Sequence, residues 1–374
     1  MNPFIKDIAS DLQRKWWFQH KKKSIMDNFL NLVADLCNIF PSPFKKIVFR
    51  TVDSIGLSLF KLVNLFVLFI TPFYLLNCNQ KDNNKNIRFL LRGQPHTFSS
   101  FINIVCNSVT RSDKVRSTLW KKNCETRQNE EKAPDVLLIK SDVFYKDYFQ
   151  KKGFIIIPEY ISFHLSLKND VDLLISNISP DIKKDIARAE KTGYVYEIRR
   201  DENAFEVFYF QMYKPYMKWR HQESKKIASY ATIRHLAGQG AEILFIKHNS
   251  HIIFGGMYIK NKNKIETHYA GLMKGKFNHL HNGVMALSYY YLIKIAKDYH
   301  CDLIDFGTAS SSISDGLYQY KKKWNMEITL PSPFYSDIYA IKIINTNSSI
   351  TEYIRKHPIH YLKGNKIEIL SGLN

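Results

Sequence analysis

The amino-acid sequence predicts an α/β (α+β) protein in which mixed, mostly antiparallel sheets are flanked by helices. Two β-rich apolar runs lie between residues 135 and 167, and the second ends in the alternating pattern ISFHLSL, typical of a half-buried strand. Residues 179–193 carry a complete helix signature, and residues 241–307 have the order strand, strand, strand, helix, strand. Strands and helices that are mixed along the chain in this way favour packed α/β layers over an all-α or all-β protein.

Composition limits the classes of protein and partner. With 374 residues the chain is long enough for two or three domains of roughly 150 residues. Its 45% hydrophobic and 14% aromatic residues exclude wholesale disorder. The formal net charge of +20 indicates anionic partners: nucleic acid, an anionic membrane surface or phosphate-bearing substrates.

Cysteine usage and the N-terminus predict a cytoplasmic protein. The five cysteines are odd in number and show no C-x-x-C spacing, which argues against a disulfide framework or a zinc site. The basic N-terminus has no early apolar run ending in a small-residue cleavage site, so no signal peptide is predicted.

Residues 1–82 are predicted to form a helical segment that is basic and then apolar. The run SIGLSLFKLVNLFVLFITPFYLLNC, residues 54–78, has the length of a bilayer span, which takes roughly 20 apolar residues. Lys61, Asn64 and Pro72 interrupt it. Three interpretations stay open: a membrane span, an interfacial or re-entrant hairpin, and a buried pair of helices. Either of the first two would hold the protein at the inner face of the membrane.

Residues 83–200 are predicted to form a first α/β unit. DVLLIK (135–140) and GFIIIPEYISFHLSL (153–167) supply its strands. SPDIKKDIARAEKTG supplies a helix, with Ser179 as N-cap, Pro180 in the first turn and Gly193 as C-cap.

Residues 201–340 are predicted to form a second unit. Helices near 202–214 and 229–238 precede three antiparallel strands over 241–273, with turns at 248–250 and 261–264. A helix over 281–300 and a buried strand, CDLIDFG, follow. Residues 341–374 form a C-terminal extension that the sequence does not assign to either unit.

Four segments resemble the FemAB-like branch of the GNAT acetyltransferase superfamily, which includes peptidoglycan aminoacyltransferases. They are IPEYISFHLSL with the helix SPDIKKDIARAEKTGYVYEI, the strands GAEILFIKHNSHIIFGGMYI, the helix start HNGVMALSYYYLIKIA, and IDFG followed by GLYQYKKKWN. The resemblance covers about residues 130–335. It implies two tandem GNAT-like units, the first degenerate, with donor and acceptor in the cleft between them.

The resemblance implies an acyltransferase without a tightly bound cofactor. The co-substrate would be acyl-CoA, an acyl carrier protein or aminoacyl-tRNA, all of which are anionic. The acceptor would be an amine of a cell-envelope sugar, peptide or lipid-linked precursor, such as those of polysaccharide biosynthesis. No P-loop, dinucleotide fingerprint, metal cluster or Ser-His-Asp order is apparent in the sequence.

Donor phosphates are expected at the start of the helix over 281–300, because free N–H groups at a helix N-terminus favour anions. This turn departs from the usual CoA-binding pattern, since Leu280 and Met285 stand where that pattern has other residues, and the departure disfavours plain CoA. The candidate donor and phosphate ligands are Asn282, Gly283, Tyr320, Lys183, Lys184 and Arg188.

Three residues are candidates for catalysis. Lys321 follows Tyr320 in an aromatic-Lys pair that matches the family, which implies a cation near the donor phosphates or the developing oxyanion. Asp305 ends a buried strand and is a candidate base, or else caps the turn through Ser310 or Ser311. His268 is an alternative base, because its ordinary pKa lies near neutrality. Candidate acceptor-binding residues are Glu159, Tyr160 and Ser310.

Two other classes of function remain open. A GNAT-like module without catalysis would bind nucleic acid or anionic lipid, with steep salt dependence. An integral membrane protein with a cytoplasmic enzyme domain would depend on detergent for its solubility.

Overall fold

A computed structural model describes residues 73–80, 85–93, 95–115, 134–168, 170–221, 227–274, 276–331, 337–345 and 349–371. All of them belong to one compact unit, Thr71–Asn374. The predicted N-terminal helical segment lies outside the described residues, except for its last part. None of the described helices is both long and apolar enough to cross a membrane.

The described strands and helices are as follows. The strands are β1 (Phe73–Gln80), β2 (Asn86–Arg92), β3 (Cys106–Val115), β4 (Val136–Asp142), β5 (Ile155–Pro158), β6 (Tyr160–Ser166), β7 (Val195–Arg199), β8 (Ala241–His248), β9 (His251–Asn261), β10 (Lys264–Leu272), β11 (Leu303–Ser310), β12 (Glu327–Thr329), β13 (Asp337–Ile343), β14 (Ile359–Lys363) and β15 (Lys366–Leu370). The α-helices are α1 (Ser99–Val105), α2 (Lys146–Lys151), α3 (Val171–Ser176), α4 (Pro180–Lys191), α5 (Glu202–Glu206), α6 (Lys214–His221), α7 (Tyr230–Gly238), α8 (Val284–Asp298), α9 (Gly316–Lys322) and α10 (Ser349–Lys356). A π-helical segment, Val207–Tyr213, joins α5 to α6.

The strands form two mixed sheets, which confirms the predicted fold class. The first sheet has the order β15-β14-β5-β13-β4-β2-β1-β3 and the second the order β12-β6-β11-β10-β9-β8-β7. Each sheet has one parallel pair, β2 with β4 and β10 with β11, and its other pairs are antiparallel.

The sheets divide the chain at positions other than the predicted limits of 82, 200 and 340. The apolar run over 153–167 is two strands, β5 in the first sheet and β6 in the second, separated only by Glu159. After the second sheet the chain returns with β13, which is inserted between β4 and β5. The predicted C-terminal extension therefore supplies β14, β15 and the last three residues of β13 to the first sheet.

The end of the predicted apolar helix is a strand. Residues 73–78 lie in β1, which pairs with both β2 and β3. Leu76 and Cys78 are buried on the same side, as the period of two in a strand requires. The prediction of a helix up to residue 82 was wrong for Phe73–Gln80. The backbone N–H and C=O groups of these eight residues are bonded in a sheet, to β2 on one side and β3 on the other.

Local signals predicted helix α4 and the hairpins of the second sheet well. Ser179 accepts a hydrogen bond from the Ile182 N–H at the start of α4, and Gly193 follows the helix with φ +77°. The hairpin between β8 and β9 turns at Asn249 and Ser250, both with positive φ. The hairpin between β9 and β10 turns at Lys262, which also has positive φ.

Helices cover both faces of the second sheet. On one face α4 and α8 pack over Phe163 and Phe306 in a common core. On the other face the π-helical segment packs over β9 and β10. A Cβ at Gly271 of β10 would lie 2.6 Å from the backbone nitrogen of Tyr213, so only glycine permits this contact.

Candidate active site at the diverging strands

Strands β10 and β11 separate soon after they pair. They are hydrogen-bonded only over Lys264–Glu266 and Leu303–Asp305. A register shift falls between Thr267 and Tyr269 on β10, and another between Asp305 and Thr308 on the β11 side. Bulges bend a strand away from its partner. Beyond Glu266 on β10 and Asp305 on β11, the facing edges of the two strands are therefore not paired with each other. We call this opening between the strands the splay.

The side chain of Lys321 reaches β11 beside the splay, at the register shift between β11 and β6, on the face of the sheet covered by α8. Lys321 is 3% exposed, although Lys322 of the same helix and Lys323 directly after it are exposed. Its Nζ donates to the carbonyl oxygens of Phe306 at 2.7 Å and Thr308 at 3.0 Å. These carbonyls flank Gly307, whose φ of +72° belongs to the left-handed region that favours glycine.

Burial changes the ionisation of this lysine. Desolvation lowers the pKa of Lys321 to about 8, although Asp305 and Asp315 act in the opposite direction. The Nζ atom also lies 5.3 Å from the centroid of the Phe163 ring. At neutral pH the side chain is therefore still mostly an ammonium group, held in a dry environment.

Asp305 lies on the opposite face of the sheet from Phe306. Its Oδ1 accepts the Gly307 N–H at 2.8 Å, and its Oδ2 lies 3.4 Å from His164 Nε2. Burial raises the pKa of Asp305, but these two partners outweigh it and lower the pKa below the ordinary value. An ionised carboxylate with a lowered pKa is a weak base, which favours a positioning role for Asp305. The predicted cap through Ser310 or Ser311 does not form, because Gly307 takes that place.

His164 is a candidate that the sequence did not single out. It faces Asp305 across the antiparallel pair β6 and β11, and its Nδ1 lies 3.3 Å from Thr329 Oγ1. Both ring nitrogens therefore have a neighbour that can fix the orientation of the imidazole. The alternating pattern ISFHLSL already placed His164 and Phe163 on opposite faces, but only the pairing of β6 with β11 brings it to Asp305.

His268 lies at the bulge of β10. Its side chain is exposed to solvent. Partial desolvation still lowers the pKa of His268, although Glu266 and Asp305 raise it. A pKa below the ordinary value leaves the imidazole largely neutral at pH 7 and able to accept a proton. Glu266 is the backbone partner of Asp305 in the parallel pair, so His268 and Asp305 belong to neighbouring positions of the two strands.

Of the predicted phosphate ligands, Arg188 reaches the start of α8, and Asn282 and Gly283 belong to the turn before it. The N–H groups of His281, Asn282 and Gly283 donate to carbonyls of the preceding turn. A Cβ at Gly283 would lie 2.2 Å from the Asp185 carbonyl oxygen, so this glycine serves the close packing of α4 on α8.

The basic residues of α4 have other contacts. Arg188 Nη1 donates to the His281 carbonyl oxygen at 2.7 Å and to Asp185 Oδ1 at 3.2 Å. Lys183 Nζ donates to the Ser176 carbonyl oxygen at 2.7 Å, and Lys184 is exposed. A phosphate-binding role for these three side chains and for Asn282 stays a prediction.

Tyr320 is part of an aromatic group beside Lys321. Its ring meets the ring of Tyr289 edge-on at 5.6 Å, and Tyr289 stacks on Phe306 at 4.4 Å. Burial raises the pKa of Tyr320 well above its usual range. The splay is thus lined by apolar rings on the face from which Lys321 enters.

The predicted acceptor-binding residues lie at the far end of β11. Ser310 pairs with Tyr160, which is 42% exposed, and lies five residues from Asp305, about 17 Å along a strand. Glu159 belongs to a network of the first sheet: its Oε2 accepts from Lys140 Nζ at 2.6 Å and its Oε1 from the Tyr339 hydroxyl at 2.9 Å. Binding of the acceptor by these residues stays a prediction.

The described residues contain no group of three His, Cys, Asp or Glu side chains that could hold a metal ion. The buried cysteines Cys78, Cys106 and Cys301 are free thiols.

Comparison with known proteins gives structural similarity alone. No protein-family model matches the chain, and no curated protein sequence matches it. Among solved structures, the chain is similar to FemX, with 14% identity, a TM-score of 0.39 and coverage of 75% of this chain and 86% of that one. L-PGS from Bacillus licheniformis is 12% identical, with a TM-score of 0.36 and coverage of 74% and 87%. A tandem GNAT protein from the clavulanic acid biosynthesis pathway is 10% identical, with a TM-score of 0.31 and coverage of 72% and 82%.

Proposed function

We propose that this protein transfers an acyl, acetyl or aminoacyl group from an activated anionic donor to an amine of a cell-envelope sugar, peptide or lipid-linked precursor. The observation that carries the proposal is the splay and its border, where helix α9 brings the buried ammonium of Lys321 to the Phe306 and Thr308 carbonyls of β11 and where His268 lies at the bulge of β10. The cell-envelope acceptor follows from the resemblance of the sequence to FemAB-like enzymes.

The open strand edges suit an extended donor. A chain that contains amide groups can add to an unpaired strand edge through main-chain hydrogen bonds. The phosphopantetheine arm of CoA or of an acyl carrier protein contains two amides, and an aminoacyl group carries a free amine and a carbonyl. Each could lie along β10 or β11 with its reactive carbonyl near Gly307.

The two candidate catalytic side chains provide complementary proton chemistry. His268 would accept a proton from the attacking ammonium group of the acceptor, which must be neutral to react. The amine nitrogen then forms a bond to the carbonyl carbon, and the carbonyl oxygen becomes an oxyanion. An ammonium group has three N–H donors, and Lys321 uses two on Phe306 and Thr308, which leaves one for the oxyanion.

Collapse of the tetrahedral intermediate completes the reaction. The bond from the carbonyl carbon to the sulfur or oxygen of the donor breaks, and the leaving thiolate or alkoxide takes up the proton held by His268. The nitrogen, which carries one surplus proton after attack, releases it to water, so that a neutral amide and one free proton result. Asp305 would keep His164 and the Gly307 turn in place through its two contacts. This sequence of steps needs no metal ion or redox cofactor.

Native mass spectrometry of the protein purified from its host would test the proposal, with Lys321→Met prepared in parallel. The expected result is a bound acyl-CoA, acyl-carrier adduct or charged tRNA in the wild type that the variant loses. The purified protein is then supplied with each donor class, and transfer to amine acceptors is measured. Absence of transfer from all three donor classes by the folded wild-type protein would overturn the proposal and favour a binding module without catalysis.

A further inference from the structure

Three aromatic rings form an exposed surface at the end of α6. Trp219 is 53% exposed, and its ring lies 4.6 Å from the ring of Phe277 with an angle of 29° between them. Tyr216, which is buried, supports both rings at 5.9 and 6.0 Å. We call Tyr216, Trp219 and Phe277 the Trp219 platform. A tryptophan that is held in a fixed stack and still half exposed is typical of a binding surface.

Cations surround the Trp219 platform. Arg220 Nη1 lies 3.3 Å from the Tyr216 hydroxyl, and the exposed residues Lys218 and Lys276 are chain neighbours of the two outer rings. Neither Lys214–His221 nor the segment 276–283 contains an aspartate or a glutamate. Aromatic faces bordered by cations suit a nucleotide, since a base can stack on the rings while its phosphates meet the positive charges.

The platform packs on α8, the helix that also carries Tyr289. Tyr216 belongs to one core cluster with Val284 and Leu287 of α8, and Phe277 packs against this cluster. The Tyr289 ring in turn stacks on Phe306, whose carbonyl oxygen accepts from Lys321. A ligand on the platform would therefore lie beside the aromatic lining of the candidate active site.

The platform also lies near the start of α8, because Tyr216 and Val284 share a core cluster. The N–H groups of residues 281–283 are bonded to the preceding turn, so the free N–H groups of this helix are those of Val284, Met285 and Ala286. Phosphates that meet Arg220 and Lys276 would therefore lie on the side of the platform next to a helix N-terminus, which favours anions.

Resting on the acyl-transfer function proposed above, we propose that the Trp219 platform binds the adenosine of the acyl donor, with the base on Trp219 and Phe277 and the phosphates at Arg220 and Lys276. Coenzyme A and the 3′ end of aminoacyl-tRNA both carry adenosine. The phosphopantetheine arm of an acyl carrier protein does not.

Calorimetric titration of the full-length protein with adenosine 3′,5′-bisphosphate tests the subsite directly. Stacking of a base on an aromatic side chain commonly changes affinity by about tenfold or more, so Trp219→Leu and Phe277→Leu are each expected to weaken binding by at least about tenfold. Lys276→Glu is expected to weaken binding as well. Phe210→Leu is the matched control, because Phe210 is 51% exposed outside the platform.

Thermal unfolding of each variant confirms that its fold is intact. The inference is overturned if the bisphosphate does not bind to the wild type, or if Trp219→Leu binds it as tightly as the wild type does. Equal weakening by Phe210→Leu would also overturn it, since the effect would then not belong to the platform.

Parallel titrations distinguish the source of the adenosine. Coenzyme A is compared with a short RNA that ends in CCA. The ligand whose affinity falls at least about tenfold in Trp219→Leu represents the class of donor that the platform binds. The two proposals can fail separately. If the variants lose bisphosphate binding but the wild type transfers no acyl group, the subsite is supported and the proposed function is overturned. If the wild type transfers an acyl group but the donor KM is unchanged in Trp219→Leu, the function is supported and the subsite is overturned.

Discussion

The Nζ atom of Lys321 lies 2.7 Å from the carbonyl oxygen of Phe306, on the strand next to the one that carries His268. A strand carbonyl normally pairs with a neighbouring strand, and here a lysine takes that place because the register of β11 with β6 shifts between Asp305 and Thr308. The lysine thus stabilises the irregular part of β11 and also presents a positive charge there. Both roles lead to predictions that can be tested separately.

Replacing Lys321 is expected to reduce acyl transfer strongly. Lys321→Met removes the proposed donor to the oxyanion, and loss of one such donor lowers kcat by roughly 10²- to 10³-fold. Lys321→Arg is not expected to rescue activity, because a planar guanidinium cannot occupy the same space between the two carbonyls. Steady-state kinetics with the donor identified by mass spectrometry measures both variants, and a loss of less than tenfold in Lys321→Met would contradict the assignment.

The pH dependence of stability should also report on Lys321. Its pKa is about 8 in the folded protein and about 10.5 in the unfolded chain, so the unfolded state binds more protons between these values. Stability contributed by this group therefore increases as pH rises above 8. The free energy of unfolding of the wild type, relative to Lys321→Met, is expected to increase by about 2 kcal/mol between pH 7 and pH 9.5. Urea titrations at the two pH values measure this difference, and a constant difference would show that Lys321 is not desolvated.

The pH dependence of the rate is expected to be bell-shaped. Activity should rise as His268 loses its proton, at a pH below the usual range of histidine, because desolvation lowers its pKa. Activity should fall again above pH 8, where Lys321 loses its charge. His268→Gln is expected to lower the rate by roughly 10²-fold and to remove the acid limb. If that limb persists in the variant, another group is the base; if the rate instead rises above pH 8, Lys321 acts as a neutral amine.

Asp305 should contribute to stability through the Gly307 turn. Asp305→Ala leaves the buried Gly307 N–H without its partner, and such a loss lowers the free energy of unfolding by about 1–3 kcal/mol. Asp305→Asn keeps an oxygen acceptor and is expected to lose less. Urea unfolding of both variants at pH 7 makes the comparison, and equal losses would mean that the charge of Asp305, acting on His164, matters more than the bond to Gly307.

Local signals in the sequence predicted helix ends and hairpin turns, but little of how the sheets are assembled. The caps at Ser179 and Gly193 and the hairpin turns depend on a few neighbouring residues, so they could be identified from short segments. The insertion of β13 between β4 and β5 joins residues about 180 positions apart, and no local pattern carries that information. Lys321 could be named as a candidate catalytic residue because its segment resembles a family motif. Its burial and its bond to Phe306 depend on how distant strands pack, so the sequence could not predict them.

The packing of α4 on α8 gives the last prediction. Gly283 has φ +81°, and its missing side chain would lie 2.2 Å from the Asp185 carbonyl oxygen. Gly193 has nearly the same conformation, φ +77°, but a Cβ there would meet no atom within 4 Å. Gly193→Ala therefore measures the backbone strain alone, which is about 1 kcal/mol for an L-residue in the left-handed region.

Gly283→Ala adds a clash with a helix backbone that cannot move like a flexible side chain. Its loss in free energy of unfolding is expected to exceed that of Gly193→Ala by about 1–3 kcal/mol, the usual range for overpacking. Urea unfolding of the two variants gives the difference directly. Equal losses would mean that α4 shifts away from α8 without penalty. The start of α8 would then be free to open, and donor phosphates could bind there after all.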